Sequence, residues 1–207
     1  MIDLFVTGYS SIRNGSAAVA GKVIFRDNSL EASGFLKNLY LFLKADYPKF
    51  YKMDTQCQLG IMAAQLLFDK ESFLDKYKEE SIGVILSNTA ASEDTDRKYL
   101  ATLNEADYFP SPSLFVYTLP NIVGGELCIR YKLKGENNFF ISENFNSDLL
   151  CQNITFLMKY TITKACVAGW INYKDGILDA FLFTVEQSEG NYKQPLNPEA
   201  LNKLYFN

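Results

Sequence analysis

The hydrophobic positions of this chain follow two spacings, one typical of strands and one typical of helices. Short apolar runs predict strands, and the run at residues 82–87 (IGVILS) is typical of a strand buried on both faces. Spacings near 3.6 residues predict helices, and Asp54 is a suitable cap for one whose apolar face includes Leu59 and Leu66. The predicted elements are strands at 2–7, 82–87, 139–142, 165–171 and 180–186, and helix-like segments at 30–45, 59–67, 147–158 and 198–204.

The alternation of strands and helices predicts an α/β fold. We expect a mostly parallel five-stranded sheet with an antiparallel edge strand and helices on both faces. The turn at residues 174–176 predicts a hairpin between the last two strands, and residues 88–96 are predicted to form a polar loop. The whole chain, 1–207, is predicted to be one domain whose tail, 187–207, is polar.

The composition limits the classes of function. Hydrophobic residues make up 48% of 207 residues, which is enough to bury a core. The net charge of −4 indicates no nucleic-acid partner. No apolar run approaches the roughly 20 residues of a membrane span, and the start of the chain does not resemble a secretion signal. The sequence therefore predicts a soluble, cytoplasmic protein.

The chain contains no histidine, which is the commonest general base and metal ligand. Serine–histidine and cysteine–histidine catalytic sites within this chain are thereby excluded. Its four cysteines are widely spaced, and Cys151 falls on a predicted helix face, where a small apolar core residue is expected. We predict neither a metal site nor a cofactor.

Four segments in this order resemble the N-terminal half of β-ketoacyl synthases, which have the thiolase-like fold. The resemblance covers roughly residues 1–186 and implies that fold here. The four segments are the strand and glycine at 5–12 (FVTGYSSI), Asp54 with the following helix and the strand at 82–85, residues 112–125 (PSLFVYTLPNIVGG) continuing to Gly135, and residues 160–170 ending in ACVAGW.

In β-ketoacyl synthases the nucleophile is a cysteine on the turn between a strand and a helix. The helix N-terminus lowers the pKa of such a thiol and makes the thiolate available. The resemblance places that position nine residues after Gly135, at Asn144, or at Phe145 with a slip of one residue. Neither residue can form a thioester, and Glu143 adds a carboxylate that disfavours a thiolate there.

The remaining catalytic groups of that family, two histidines and a lysine, belong to its C-terminal half. The resemblance therefore implies a non-catalytic, synthase-like subunit of fatty-acid or polyketide-type assembly, including polyene assembly. Such a subunit would form a homodimer, or a heterodimer with a full-length ketoacyl synthase, and an acyl carrier protein would be its client.

Two other functions stay open at this stage. An acyl thioester hydrolase or acyltransferase could use Ser142, Asn144 or Cys151, with Glu143, Asp148 or a lysine as the base. A module that binds an acyl lipid without catalysis is the other alternative.

A lone half of a two-half fold leaves one helical face uncovered, and large exposed apolar faces are usually interfaces. We therefore expect an obligate partner, which could be a second copy or a full-length synthase. A covering element formed by the aromatic-rich residues 30–50 is the remaining possibility. The same aromatic residues could instead pack in the core, or form an acyl-binding or docking surface.

Overall fold

A computed structural model describes residues 2–27, 31–68, 73–103, 110–187 and 194–207. Within those ranges the strands are β1 (Phe5–Arg13), β2 (Ser16–Val19), β3 (Lys22–Arg26), β4 (Ile82–Asn88), β5 (Asn137–Ile141), β6 (Ala165–Lys174) and β7 (Ile177–Glu186). The helices are α1 (Ala32–Phe42), α2 (Thr55–Phe68), α3 (Phe73–Lys76), α4 (Glu93–Leu100), α5 (Pro112–Phe115), α6 (Ile122–Tyr131), α7 (Ser147–Tyr160) and α8 (Pro198–Phe206). Single 3-10 turns occur at Pro48–Lys52, Glu79–Ser81 and Val116–Thr118.

The strands form one mixed sheet in the order β3-β2-β1-β7-β6-β4-β5. β4 pairs in parallel with β5 and with β6, and the other strand pairs are antiparallel. The prediction of an α/β fold with helices on both faces is confirmed, but the prediction of five mostly parallel strands is wrong. The additional strands come from the meander β1–β2–β3, whose small Ser and Ala residues give little hydrophobic alternation.

The predicted hairpin at the end of the sheet is confirmed, because β6 and β7 pair along their full lengths. Asp175 and Gly176 turn the chain there with φ of +48° and +82°, which is the left-handed pair that a two-residue hairpin turn requires. The buried strand is also confirmed, since every residue of β4 is buried. The predicted cap of α2 is present, because the Cys57 N–H donates to Oδ1 of Asp54 at 2.8 Å.

The polar segment 88–96 is not a loop throughout, because α4 begins at Glu93. Acidic residues occupy its first turn and basic residues its last, which stabilises a short exposed helix through the helix dipole. Two ion pairs four residues apart join Glu93 to Arg97 and Asp94 to Lys98. The same acidic and basic spacing is present in the sequence and is the signal for this helix.

Two hydrophobic clusters lie on opposite faces of the sheet. The first packs α1, α2 and α6 against one face, and it contains the buried aromatic residues Phe35, Tyr40 and Phe50. The second packs α7 and α8 against the other face. The aromatic segment near residues 30–50 therefore mainly fills the first cluster, and residues 194–207 cover part of the second face instead. No helix in the described part of the chain combines the length and apolar character of a bilayer span.

Candidate functional site

The turn between β5 and α7 contains the position at which the resemblance places the nucleophile. The Ser142 N–H donates to the carbonyl oxygen of Asn88 at 2.9 Å. The Ser142 hydroxyl then donates to the main-chain oxygen of Asn144 at 2.8 Å. Oδ1 of Asn146 accepts the N–H of Leu149 at 2.9 Å and caps α7. The turn is therefore held by hydrogen bonds at both of its ends.

Phe145 is the residue of this turn that packs into the molecule. Its ring is stacked on that of Tyr205, with the centroids 4.1 Å apart and the planes 10° from parallel. It also meets Phe181 and Trp170 edge-on, at centroid distances of 5.7 and 6.5 Å. Asn144, in contrast, is exposed. An aromatic cluster thus occupies the space on the inner side of the turn.

The side chain of Tyr205 is held in place by its hydrogen bond to Asp179. The Tyr205 hydroxyl donates to Oδ2 of Asp179 at 2.5 Å, and Nε1 of Trp170 donates to the same oxygen at 3.0 Å. Arg13 forms an ion pair with Asp179 at 3.2 Å, donates to the main-chain oxygen of Tyr205, and lies over its ring. Burial and the Asp179 carboxylate raise the pKa of Tyr205, so its phenol is a neutral donor at pH 7. These contacts hold the C-terminal end of α8 over the turn.

The polar residues of the turn are not arranged as a nucleophile and base. Glu143 and Asp148 are exposed, and the half-buried Ser142 uses its hydroxyl for the bond to Asn144. Among the hydrogen bonds of the described residues, none joins Ser142 to either carboxylate. The described residues also contain no group of three or more Cys, Asp and Glu side chains that could hold a metal ion.

Cys151 lies on α7, and its side chain is buried in the cluster against the sheet. Burial, with a smaller contribution from the carboxylate of Asp148, raises the pKa of this thiol to about 12. Burial likewise raises the pKa of Cys166 to about 12, and it raises those of Cys57 and Cys128. All four thiols are therefore protonated near neutral pH, and a protonated thiol is a poor nucleophile.

A buried amide network beside the turn was not predicted from the sequence. Asn88, fully buried at the end of β4, donates to Oε1 of Gln56 at 3.0 Å and to the carbonyl of Ala91 at 2.9 Å. Its Oδ1 accepts the N–H of Ala91, and Oδ1 of Asn172 accepts the N–H of Ala90. The network fixes the connection that follows β4 and, through Asn88, the start of the β5–α7 turn. Its sequence signal is the amide directly after the apolar run.

The two edges of the sheet differ in character. The β3 edge contains Lys22 and Arg26, and charged residues on an edge strand oppose pairing with another chain. The β5 edge (NNFFI) has no charged residue, and its Ile141 side chain is 59% exposed. Further exposed apolar residues occur on α6 and in the segment before it, and these are Phe115, Val116, Leu119 and Ile129.

The outer side of α7 carries exposed aromatic residues together with the polar residues Asp148, Gln152, Thr155 and Lys159. Phe156 and Tyr160 are exposed, and their rings contact each other with centroids 5.3 Å apart. Ile162, directly after the helix, is exposed as well. Although α8 covers part of the same face of the sheet, it leaves these three side chains uncovered. A small exposed apolar cluster therefore lies at the C-terminal end of α7, and the expected interface on an uncovered helical face stays a prediction.

No family model matches this chain, and no curated protein matches it by sequence. Solved structures do match it. The ishigamide ketosynthase/chain length factor has a TM-score of 0.69 at 16% identity, and the match covers 94% of this chain and 64% of that one. The ketosynthase ApeO in complex with its chain length factor ApeC, from Xenorhabdus doucetiae, has a TM-score of 0.59 at 13% identity.

The matched structures differ in the fraction of their own chain that the match covers. In the ApeO–ApeC complex the match covers all of this chain and 91% of the other, so the two chains are of similar length. A third match is AntDE:AntF, a type II PKS acyl-carrier protein in complex with its ketosynthase bound to the hexaketide. It has a TM-score of 0.59 at 13% identity, and covers 98% of this chain and 65% of that one. The chain thus spans slightly less than two thirds of the first and third of these structures.

The chain therefore has the fold of the ketosynthase and chain length factor structures that it matches, as the sequence resemblance implied.

Proposed function

We propose that this chain is a non-catalytic, ketosynthase-like subunit of fatty-acid or polyketide-type assembly, including polyene assembly. It acts in the cytoplasm as one domain, 1–207, that forms a homodimer or pairs with a complete ketosynthase, and an acyl carrier protein is the client of the pair. The observation that carries this proposal is the position of Phe145. Where the resemblance calls for a reactive thiol, the side chain that faces inward is a phenyl ring stacked on Tyr205.

Chemical requirements support the absence of condensing activity. Acyl transfer to an enzyme needs a nucleophile with a lowered pKa or an adjacent base. Phe145 has no ionisable group, and the exposed amide of Asn144 is not nucleophilic. The thiol of Cys151 is buried and has a pKa of about 12. No observation in the described residues favours a hydrolase that uses Ser142.

Two kinds of observation support the proposed partner. They are the exposed surfaces of this chain and the complexes in which the matched proteins were solved. Two of the matched structures are a ketosynthase in complex with its chain length factor and an acyl-carrier protein in complex with its ketosynthase. In this chain, the uncharged edge of β5 pairs with no further strand among the described residues, and the exposed rings of Phe156 and Tyr160 lie at the end of α7. Two such surfaces on one molecule fit a subunit that is buried on more than one side in its assembly.

Intact-mass spectrometry tests the catalytic half of the proposal. The purified chain is incubated with an acyl thioester, beside a ketosynthase that retains its cysteine as the positive control. We expect the control to gain one acyl group and this chain to gain none at pH 7–8. An acyl adduct that disappears in Ser142→Ala or Cys151→Ala would contradict the proposal and favour the hydrolase or acyltransferase alternative.

Co-expression with a complete ketosynthase from the same organism tests the partner half. We expect either a stable complex of defined stoichiometry or, for the chain alone, a homodimer. A chain that stays monomeric at micromolar concentration and binds no ketosynthase would contradict it.

A further inference from the structure

β1 contacts two different segments along the side that faces β2. Ala20 donates its N–H to the carbonyl of Tyr9 at 2.9 Å, and Val6 donates its N–H to the carbonyl of Gln194 at 3.0 Å. Residues 7 and 8 lie between these two hydrogen bonds, and the register of β1 against β7 shifts there.

An apolar cavity of about 390 Å³ opens beside residues 7 and 8. The buried residues Val6, Leu66 and Leu67 are part of its lining. The remaining lining residues are Thr7, Gly8, Tyr9, Val19, Ala20, Gln194 and Leu204. Its volume is in the range of small-ligand pockets, and the described residues of its lining include no charged side chain.

A second cavity of about 420 Å³ adjoins the first, because Tyr9, Gln194 and Leu204 line both. It lies between the β1–β2–β3 meander and α8, and its lining combines polar and cationic residues with apolar ones. Ser11, Ser16 and Asn14 supply hydrogen-bonding groups, and Arg13 and Lys203 supply positive charge.

We infer that the two cavities form one binding site for a small amphiphile, with its apolar tail in the first cavity and a single anionic head group in the second. This site lies beside β1 and β2, whereas the proposed partner edge is at β5, the opposite end of the sheet. The inference is therefore independent of the proposed function.

The charges of the second cavity favour an anionic head over a neutral or cationic one. Arg13 is already paired with Asp179 at 3.2 Å, so its charge is largely compensated. Lys203 is exposed and forms no ion pair with any residue that the structure describes. Among the described residues that line the second cavity, Lys203 therefore carries the uncompensated charge, and it would pair with a carboxylate or a phosphate head.

Calorimetric titration of the full chain with straight-chain carboxylates, below their micellar concentrations, tests the site. We expect dodecanoate to bind saturably with one site per chain. Affinity should fall about fourfold per methylene removed, from dodecanoate to decanoate to octanoate, because each methylene loses burial in the apolar cavity. Dodecyl phosphate should bind as dodecanoate does, whereas neutral dodecanol should bind more weakly.

Two matched lysine variants locate the head group. Lys203→Gln should weaken dodecanoate binding about three- to fivefold and leave dodecanol binding unchanged. Lys37→Gln makes the same change of charge on the exposed side of α1, outside both cavities, and should leave both affinities unchanged.

Three results would overturn the inference. They are no saturable binding of dodecanoate, no dependence on chain length, and equal effects of Lys203→Gln and Lys37→Gln. None of them bears on acylation or on partner binding, so failure of this site and failure of the proposed function remain distinguishable.

Discussion

At the scale of single residues, the neighbours Phe145 and Asn144 differ in how much their side chains contribute to the stability of the fold. Phe145 is half-buried and touches three aromatic rings, whereas the Asn144 side chain is exposed. Replacing Phe145 with alanine removes the stack on Tyr205 and leaves a cavity under α8. We expect Phe145→Ala to lower the free energy of unfolding by roughly 2–3 kcal/mol, measured by urea denaturation.

Asn144→Ala is the matched control. The bond from Ser142 is to the main-chain oxygen of Asn144, which alanine retains, so the expected change is within about 0.5 kcal/mol. Equal destabilisation by the two variants would show that Asn144, and not the aromatic stack, holds the turn.

This contrast also shows what the sequence alone could determine about the site. Counting from Gly135 limits the nucleophile position to residues 144 and 145 but does not choose between them. Which of the two side chains packs inward depends on Tyr205 and Asp179, which are separated from the turn by tens of residues in sequence. A contact of that kind leaves no periodic pattern near the turn, so sequence spacing could not predict it.

At the scale of elements, the buried carboxyl group of Asp54 at the start of α2 makes the stability of the fold depend on pH. Asp54 accepts the N–H of Cys57 and the hydroxyl of Thr95, each at 2.8 Å. Burial raises the pKa of Asp54 above its ordinary value even though these bonds lower it. The folded chain therefore keeps this proton to higher pH than the unfolded chain does.

The sign of the pH dependence follows from that raised pKa. The contribution of Asp54 to stability is fully present below the ordinary Asp pKa and is lost as the pH rises through the raised value. The free energy of unfolding of the wild type, minus that of Asp54→Asn, should therefore fall as the pH is raised from 4 to 7. Urea denaturation of both proteins across this range measures the difference, and a difference that grows with pH would contradict the assignment.

Elements with a strong hydrophobic or turn pattern are predictable from the sequence, and elements with a weak pattern are not. The buried strand β4, the capped helix α2 and the hairpin β6–β7 each have a clear apolar run, spacing or turn. The meander was missed because β2 consists of Ser, Ala and Val, although both of its turns have a residue pair with positive φ, Asn14-Gly15 and Ala20-Gly21. Asparagine followed by glycine is a strong hairpin signal, and it was the available clue.

At the scale of the whole molecule, the arrangement of the sheet sets where a partner can bind. The charged β3 edge opposes strand addition, and the uncharged β5 edge permits it. The inferred amphiphile cavities lie beside β1 and β2, and the exposed aromatic residues of α7 lie on the second face of the sheet, where α8 also packs. The inferred ligand site and the β5 edge therefore lie at opposite ends of the sheet.

The β5 edge can be tested with a pair of matched substitutions. Ile141→Lys introduces a charge on that edge, whereas Ile177→Lys introduces the same charge at the β6–β7 turn, where the side chain is 67% exposed. Burying an unpaired lysine ammonium in an interface is costly, so Ile141→Lys should weaken association at least about tenfold. Sedimentation measures this for the homodimer, and co-purification measures it for the complex with a ketosynthase. Because both isoleucines are exposed, neither change should alter the melting temperature of the isolated chain appreciably, and an Ile141→Lys protein that associates as tightly as Ile177→Lys would exclude the β5 edge as the interface.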